Sequence, residues 1–195
     1  MMAVPSYKFC LISYIAGSRG SFLGYQLWQQ YPELFSLKKP PIDGTAWIEK
    51  YDTWHTYTPH LADELFFSHP TLNLDNLFSD KNVAYLDKNK YNIVVTHKYT
   101  DKELAPIHQA LAGHTVKTLQ VWFEEEDNAK IFDRAVAAAT HFGHDTGSQW
   151  KAAFLKYVIQ SPRANNVIPV PLATLKEWDK QKPTDLTFLM EHFKL

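Results

Sequence analysis

The chain has 195 residues, a formal net charge of −1 and 45% hydrophobic residues. This length and composition predict one domain, spanning 1–195, with a buried core. Because the net charge is close to zero, an overall basic surface for nucleic-acid binding is not indicated. No apolar run is long enough to span a bilayer, and the single cysteine, Cys10, cannot form an internal disulfide. We therefore expect a cytoplasmic protein without nucleic-acid or membrane partners.

The first predicted elements are a strand and a helix joined by a glycine-containing loop. Residues Tyr7–Ile15 are apolar and rich in β-branched and aromatic side chains, which is typical of a buried parallel strand rather than of a signal peptide. Apolar residues then recur at helical spacing, and this pattern predicts a helix over about 21–31.

The loop between them has the composition of an anion-binding turn. A strand that turns through Gly17 and Gly20 into a helix directs backbone N–H groups at one point, where the helix dipole is positive. Arg19 adds a positive charge, and Ser18 and Ser21 add hydroxyl donors. The loop is not a Walker A motif, because its glycines are too close together and no Lys follows. An ordinary strand-to-helix turn explains the same residues equally well.

Residues 36–90 form the least regular part of the sequence, and we interpret them as an insertion that covers one end of the sheet. Within it, Trp47, Tyr51 and Trp54 recur at helical spacing. Such a stripe is typical of core packing, but its rings also suit a pocket for a planar or sugar-like acceptor.

The rest of the chain alternates strand and helix patterns. In order, they are a strand Tyr91–Val95, a helix Asp101–Leu111, a strand Thr115–Phe123, a helix over about 129–143, a helix Ser148–Gln160, a strand Asn166–Val170 and closing helices Leu172–Lys180 and Thr184–Phe193. This alternation predicts an α/β fold with a mainly parallel sheet flanked by helices.

Three local signals refine this order. Asp101 is a plausible N-cap of its helix. The acidic run Glu124–Asp127 precedes a helix, where it favours the dipole and is expected to face solvent. No His or Cys joins that run at ligand spacing, so we expect no metal site there. Pro169 predicts that the last strand is short or lies at an edge of the sheet.

The most informative candidate outside the loop is His97, which follows Thr96 at the end of the second predicted strand. In a parallel sheet, this strand end and the glycine loop open on the same edge. A histidine beside a bound oxyanion group is suited to act as a general base toward a hydroxyl. A structural histidine that bonds to backbone at a strand end is the alternative.

Both segments resemble motifs of the sulfotransferases. With Gly20 aligned to the glycine of that family's phosphosulfate-binding loop, Ser21 matches the first hydroxyl residue, Arg19 is displaced by one place, and Phe22 replaces the second hydroxyl. Thr96 and His97 match the family's Lys-Thr-His segment, in which the His is the catalytic base. Val95 stands in the position of the Lys.

The resemblance implies a P-loop-like sulfotransferase fold and a transferase that uses 3′-phosphoadenosine 5′-phosphosulfate. Residues 17–22 would hold this donor, with Arg19 also serving catalysis, and His97 would be the base. Trp47, Tyr51, Trp54 and Thr96 would bind the acceptor, a small molecule or a glycan. Phe123 and Glu124 occupy the region of the family's 3′-phosphate arginine, and the nearby guanidinium is that of Arg134, which we assign to the donor site.

Two other functions stay open. The same frame suits a nucleotide kinase or another phosphate-handling enzyme, with Asp127 or Glu124 as a ligand for Mg²⁺. A binding or structural protein that keeps the fold without the activity is the third reading, favoured by Val95 in the position of the Lys.

Overall fold

The computed structural model describes residues 6–36, 86–141, 147–175 and 184–193. Most of the predicted insertion 36–90, with Trp47, Tyr51 and Trp54, lies outside these residues.

The described residues form a five-stranded sheet in the order β2-β3-β1-β4-β5, with every neighbouring pair parallel. The strands are β1 (Lys8–Ser13), β2 (Phe35–Ser36), β3 (Tyr91–Thr96), β4 (Thr115–Trp122) and β5 (Ile168–Pro171). The central strand β1 pairs along its whole length with both β3 and β4, so Ser13, Thr96 and Gln120 lie side by side. The prediction of an α/β fold with a parallel sheet is confirmed, as is the edge position of the last strand.

Helices flank both faces of the sheet. They are α1 (Gly20–Gln30), α2 (Asp101–Ala110), α3 (Asn128–His141), α4 (Ser148–Gln160) and α5 (Thr187–Met190). Short 3-10 helices cover Glu125–Asp127 and Leu172–Leu175. The central strand β1 thus leads through a glycine-containing turn into α1.

Alternation along β1 explains why both faces are covered. Cys10 and Ile12 belong to the core that α1, α3, α4 and α5 share, whereas Phe9 and Leu11 belong to the core under α2. All of these side chains are fully buried. A strand buried on both faces is apolar at successive positions, which is the pattern that the sequence shows.

Several local predictions are corrected. The N-cap of α2 is Thr100, and Glu103 completes a capping box there. Asp101 instead accepts hydrogen bonds from the backbone N–H and side-chain amide of Asn165, at 2.7 and 2.5 Å. Within the acidic run, Asp127 is buried rather than exposed to solvent.

The strand β2 was not predicted, because two residues are too few to show a period. The predicted closing helices are a 3-10 turn, Leu172–Leu175, and a short helix, Thr187–Met190; residues 176–183 between them lie outside the description.

The β1–α1 loop depends on Gly17. Its φ is +88°, in the left-handed region that side chains disfavour, and a Cβ atom there would overlap the carbonyl oxygen of Ile131 in α3. The loop therefore lies directly against the α3 backbone, at a separation that only glycine permits.

We expect Gly17→Ala to lower the free energy of unfolding by at least about 2 kcal/mol, because backbone strain and overlap with α3 add. Gly113→Ala is the matched control. Gly113 also has a positive φ, +93°, but nothing lies within 4 Å of its added Cβ, so only the left-handed cost of about 1 kcal/mol is expected. Urea denaturation of both variants measures the difference, and equal losses would contradict the contact with α3.

Candidate functional site

The β1–α1 loop and the segment after β3 meet at the carboxyl edge of the sheet. The backbone N–H of Tyr14 donates to the Thr96 carbonyl at 3.0 Å. The rings of Tyr14 and His97 lie against each other, with centroids 4.4 Å apart. The structure thus brings His97 to the loop, as the parallel topology predicts.

The contact of the His97 ring with the loop bears on its chemistry. His97 Nδ1 lies 3.4 Å from the carbonyl oxygen of Tyr14. Because a carbonyl only accepts hydrogen bonds, this contact favours, of the two neutral tautomers, the one in which Nδ1 carries the proton and Nε2 the lone pair. That tautomer is the one in which Nε2 serves as a base.

Tyr14 also explains the second glycine of the loop. A Cβ atom on Gly20 would overlap the Tyr14 ring. The Tyr14 ring therefore packs against the first residue of α1, and it also packs against the His97 ring. One buried aromatic side chain links the helix start to the candidate base.

The residues assigned to the anion-binding loop differ in where their side chains and backbone lie. The hydroxyl of Ser18 donates to the Ile15 carbonyl at 2.6 Å, so its proton serves the turn itself. Arg19 is the N-cap residue of α1, and its backbone lies in the left-handed region, with φ 65°. Its side chain makes no capping hydrogen bond to the helix. Ser21 belongs to the first turn of α1, and Phe22 is buried in the core beneath that helix.

Two guanidinium groups lie beside the loop. Arg134, on α3, donates from Nη1 to the Gly17 carbonyl at 3.4 Å. Arg19 donates from Nη1 to the Leu175 carbonyl. Burial, and then the charge of Arg134, lower the pKa of Arg19 to about 10, so Arg19 stays charged at neutral pH. These like charges repel each other, and an anion bound between them would relieve that repulsion.

Behind His97, two residues that the sequence analysis did not single out form a polar contact. The hydroxyl of Tyr157, on α4, lies 3.3 Å from the His97 carbonyl and 3.3 Å from Oε2 of Glu103. The same Oε2 accepts from the backbone N–H groups of Tyr99 and Thr100, at 3.1 and 3.0 Å, and from the Thr100 hydroxyl at 2.9 Å.

These contacts set the ionisation of both groups. Burial raises the pKa of Glu103, but hydrogen bonds from Thr100 and Tyr99 outweigh it, and the net pKa lies below the ordinary value. Burial, and then the charge of Glu103, raise the pKa of Tyr157, which therefore stays neutral and keeps its proton. The Thr100-x-x-Glu103 spacing of a capping box was a signal available in the sequence. The Tyr157 contact depends on tertiary packing.

The remaining candidates lie as follows. Thr96 is fully buried, and its hydroxyl accepts from the Lys98 N–H at 3.1 Å. Glu124 is exposed at the end of β4. Among residues 6–36, 86–141, 147–175 and 184–193, no group of three or more His, Cys, Asp or Glu side chains is placed to hold a metal ion. No helix in this part of the chain is long and apolar enough to cross a membrane.

Comparisons with known proteins assign no family. No protein-family model and no curated protein matches the chain. Among solved structures, it aligns with a gluconokinase from Sinorhizobium meliloti 1021 at 14% sequence identity and a TM-score of 0.41, over 86% of this chain and 85% of that chain. A likeness at this level supports no assignment of function.

We expect Glu103→Gln to reduce the loss in the free energy of unfolding that occurs as the pH is lowered. The pKa of Glu103 lies below its ordinary value of 4.5, so its ionised form stabilises the folded state above that value. This stability is lost as the pH falls through the folded-state pKa, and a glutamine does not titrate. Urea denaturation should therefore show wild type losing more stability than the variant between neutral pH and a pH well below 4.5. Parallel losses in the two proteins would contradict this role.

Proposed function

We propose that this chain binds a phosphosulfate nucleotide at the β1–α1 loop and transfers its sulfuryl group to an acceptor hydroxyl, with His97 as the general base. The observation that supports the proposal is the contact between the loop and His97 through Tyr14. Because of this contact, the start of α1, a kind of helix terminus suited to binding anions, and the imidazole of His97 lie together at one edge of the sheet.

In the proposed reaction, the first-turn N–H groups of α1, with Arg134 and Arg19, hold the phosphosulfate. Nε2 of His97 takes the proton of the acceptor hydroxyl as its oxygen bonds to sulfur. The bond from sulfur to the 5′-phosphate oxygen breaks, and adenosine 3′,5′-bisphosphate leaves. Positioning and the fixed dipoles of the loop supply the rate enhancement. The acceptor is a small molecule or a glycan with a free hydroxyl.

The residues present fit one end of this donor better than the other. The loop and its two guanidinium groups suit the 5′-phosphosulfate. At the end of β4, Phe123 is partly buried and Glu124 is an exposed acid, so neither supplies a positive charge for the 3′-phosphate.

Phosphoryl transfer is the second candidate, and one observation favours it. Asp127 is buried close to the end of β4, the strand beside β1. A carboxylate at this edge is suited to ligate Mg²⁺ on a bound nucleotide. Under this alternative, the nucleotide would be a triphosphate, and binding would depend on the metal.

The first test is calorimetry with adenosine 3′,5′-bisphosphate on wild type and Arg134→Ala. A charge-assisted hydrogen bond contributes about 1.5–3 kcal/mol, so the variant should bind at least about tenfold more weakly. Lys151→Ala, which removes an exposed cation on α4, is the control and should bind like wild type.

Parallel titrations with ATP, with Mg²⁺ and with a chelator, separate the two candidates. Binding of ATP that requires Mg²⁺, with no binding of the bisphosphate, would replace sulfuryl transfer by phosphoryl transfer. No binding of either nucleotide at millimolar concentration would support a protein that keeps the fold without this activity.

The second test is sulfuryl transfer from labelled donor to a panel of hydroxyl acceptors by wild type and His97→Ala. Loss of a general base lowers the rate by about 10²–10⁴-fold, while the affinity for the bisphosphate should be kept. Transfer at the wild-type rate by the variant would show that the role assigned to His97 is wrong.

A further inference from the structure

Four successive main-chain carbonyls at and after the end of β3 are held by four different donors. The Thr96 carbonyl accepts from the Tyr14 N–H at 3.0 Å. Those of His97, Lys98 and Tyr99 accept from the side chains of Tyr157, Ser13 and Gln120, at 3.3, 2.7 and 2.6 Å. A strand end normally leaves such carbonyls to solvent or to the next turn.

Three of these donors belong to the sheet and its first loop. Ser13 and Gln120 are both fully buried, pair in register on β1 and β4, and are themselves joined by a hydrogen bond of 3.2 Å. They hold the residues after His97 to the sheet. Tyr157 is different, because it reaches the segment from α4, which packs on α3.

The peptide plane between His97 and Lys98 is held at both of its polar groups by side-chain hydroxyls. Its carbonyl accepts from Tyr157, and its N–H donates to the hydroxyl of Thr96 at 3.1 Å. The preceding plane is held through the Thr96 carbonyl by Tyr14. Since two successive planes define φ and ψ of the residue between them, these bonds determine where the His97 side chain starts.

We infer that Tyr157 is a positioning residue for His97, which it orients through the His97 carbonyl; this inference rests on the proposed function of His97. Fixing that carbonyl holds the imidazole against the Tyr14 ring and Nδ1 toward the Tyr14 carbonyl. The helix α4 thereby contributes to the aim of Nε2 without touching the reacting atoms.

The Tyr157 hydroxyl is suited to this role because it remains a donor. It has one proton and two acceptors within reach, the His97 carbonyl and the Glu103 carboxylate. Its ring is partly buried among the residues packed on the core under α4. Tyr157→Phe removes the donor and keeps this packing.

The test is an NMR comparison of the histidine ring signals in wild type and Tyr157→Phe. Because the His97 ring lies 4.4 Å from that of Tyr14, its chemical shifts report their mutual orientation. We expect the His97 signals to shift, while those of His108 and His114 stay in place. Tyr31→Phe, which removes a hydroxyl at the far end of α1, is the matched control and should leave His97 unchanged.

The kinetic part uses the sulfuryl-transfer assay. A misdirected base should lower kcat by about tenfold to a hundredfold and leave the KM of the donor unchanged. Should Tyr157→Phe not fold, Thr96→Val removes the other hydroxyl that holds the same peptide plane, and the same shift of His97 is expected.

The two claims fail separately. A folded Tyr157→Phe protein whose His97 signals match wild type overturns the positioning role, whatever the enzyme does. If Tyr157→Phe shifts the His97 signals but the wild-type protein shows no sulfuryl transfer, the result supports the positioning contact and counts against the proposed function instead.

Discussion

The contact of Gly17 with the α3 backbone is the constraint on which the candidate site depends. The central strand must leave the sheet and enter α1 while passing beneath α3, and the Ile131 carbonyl leaves no room for a side chain at Gly17. The left-handed φ of this residue turns the chain at that point. As a consequence, Arg134 lies within reach of the Gly17 carbonyl. One close approach therefore determines both the path of the loop and the position of a guanidinium beside it.

The second half of the site depends on this loop through Tyr14. An aromatic pair such as Tyr14 and His97 contributes about 0.5–1.5 kcal/mol beyond the area that it buries, which is too little by itself to fix the segment that carries His97. Each hydrogen bond to a carbonyl of residues 96–99 adds a net contribution of about 1 kcal/mol. Several such bonds on consecutive residues hold the segment more firmly than the ring contact does. Backbone positioning is therefore the larger contribution to the orientation of His97.

The sequence was sufficient to predict the fold class, an α/β fold with a parallel sheet, because the signals of its main strands and helices are local or periodic. The apolar runs of β1 and β3 and the 148–160 helix were predicted within two residues of their bounds. The meeting of the loop with His97 follows from parallel topology alone. Contacts between distant residues could not be predicted in this way. Nothing in the spacing of Tyr157 and His97 indicates that the hydroxyl of one holds the carbonyl of the other.

The sequence also could not predict where the side chains of the loop point, or which groups they contact. Ser18 and Arg19 have the right chemistry for an anion, yet one donates to Ile15 and the other to Leu175. Phe22 has the right spacing for the loop motif, but it belongs to the core. Composition shows which groups are near a turn. Only packing decides which of them turn inward. In this chain, the side chains of Ser18 and Phe22 are the ones that turn inward.

The position of Val95 determines where a cation for the proposed reaction has to come from. Val95 is fully buried in the core beneath α1 and α3. A lysine at this position would have to bury its charged ammonium group in an apolar region, which costs free energy. The positive groups beside the loop come instead from Arg134 on α3 and from Arg19 at the start of α1. Guanidinium groups stay protonated and form paired hydrogen bonds to phosphate or sulfate oxygens. In this chain, the charge that stabilises a transferred anion is therefore expected from the helices around the loop rather than from the strand that carries His97.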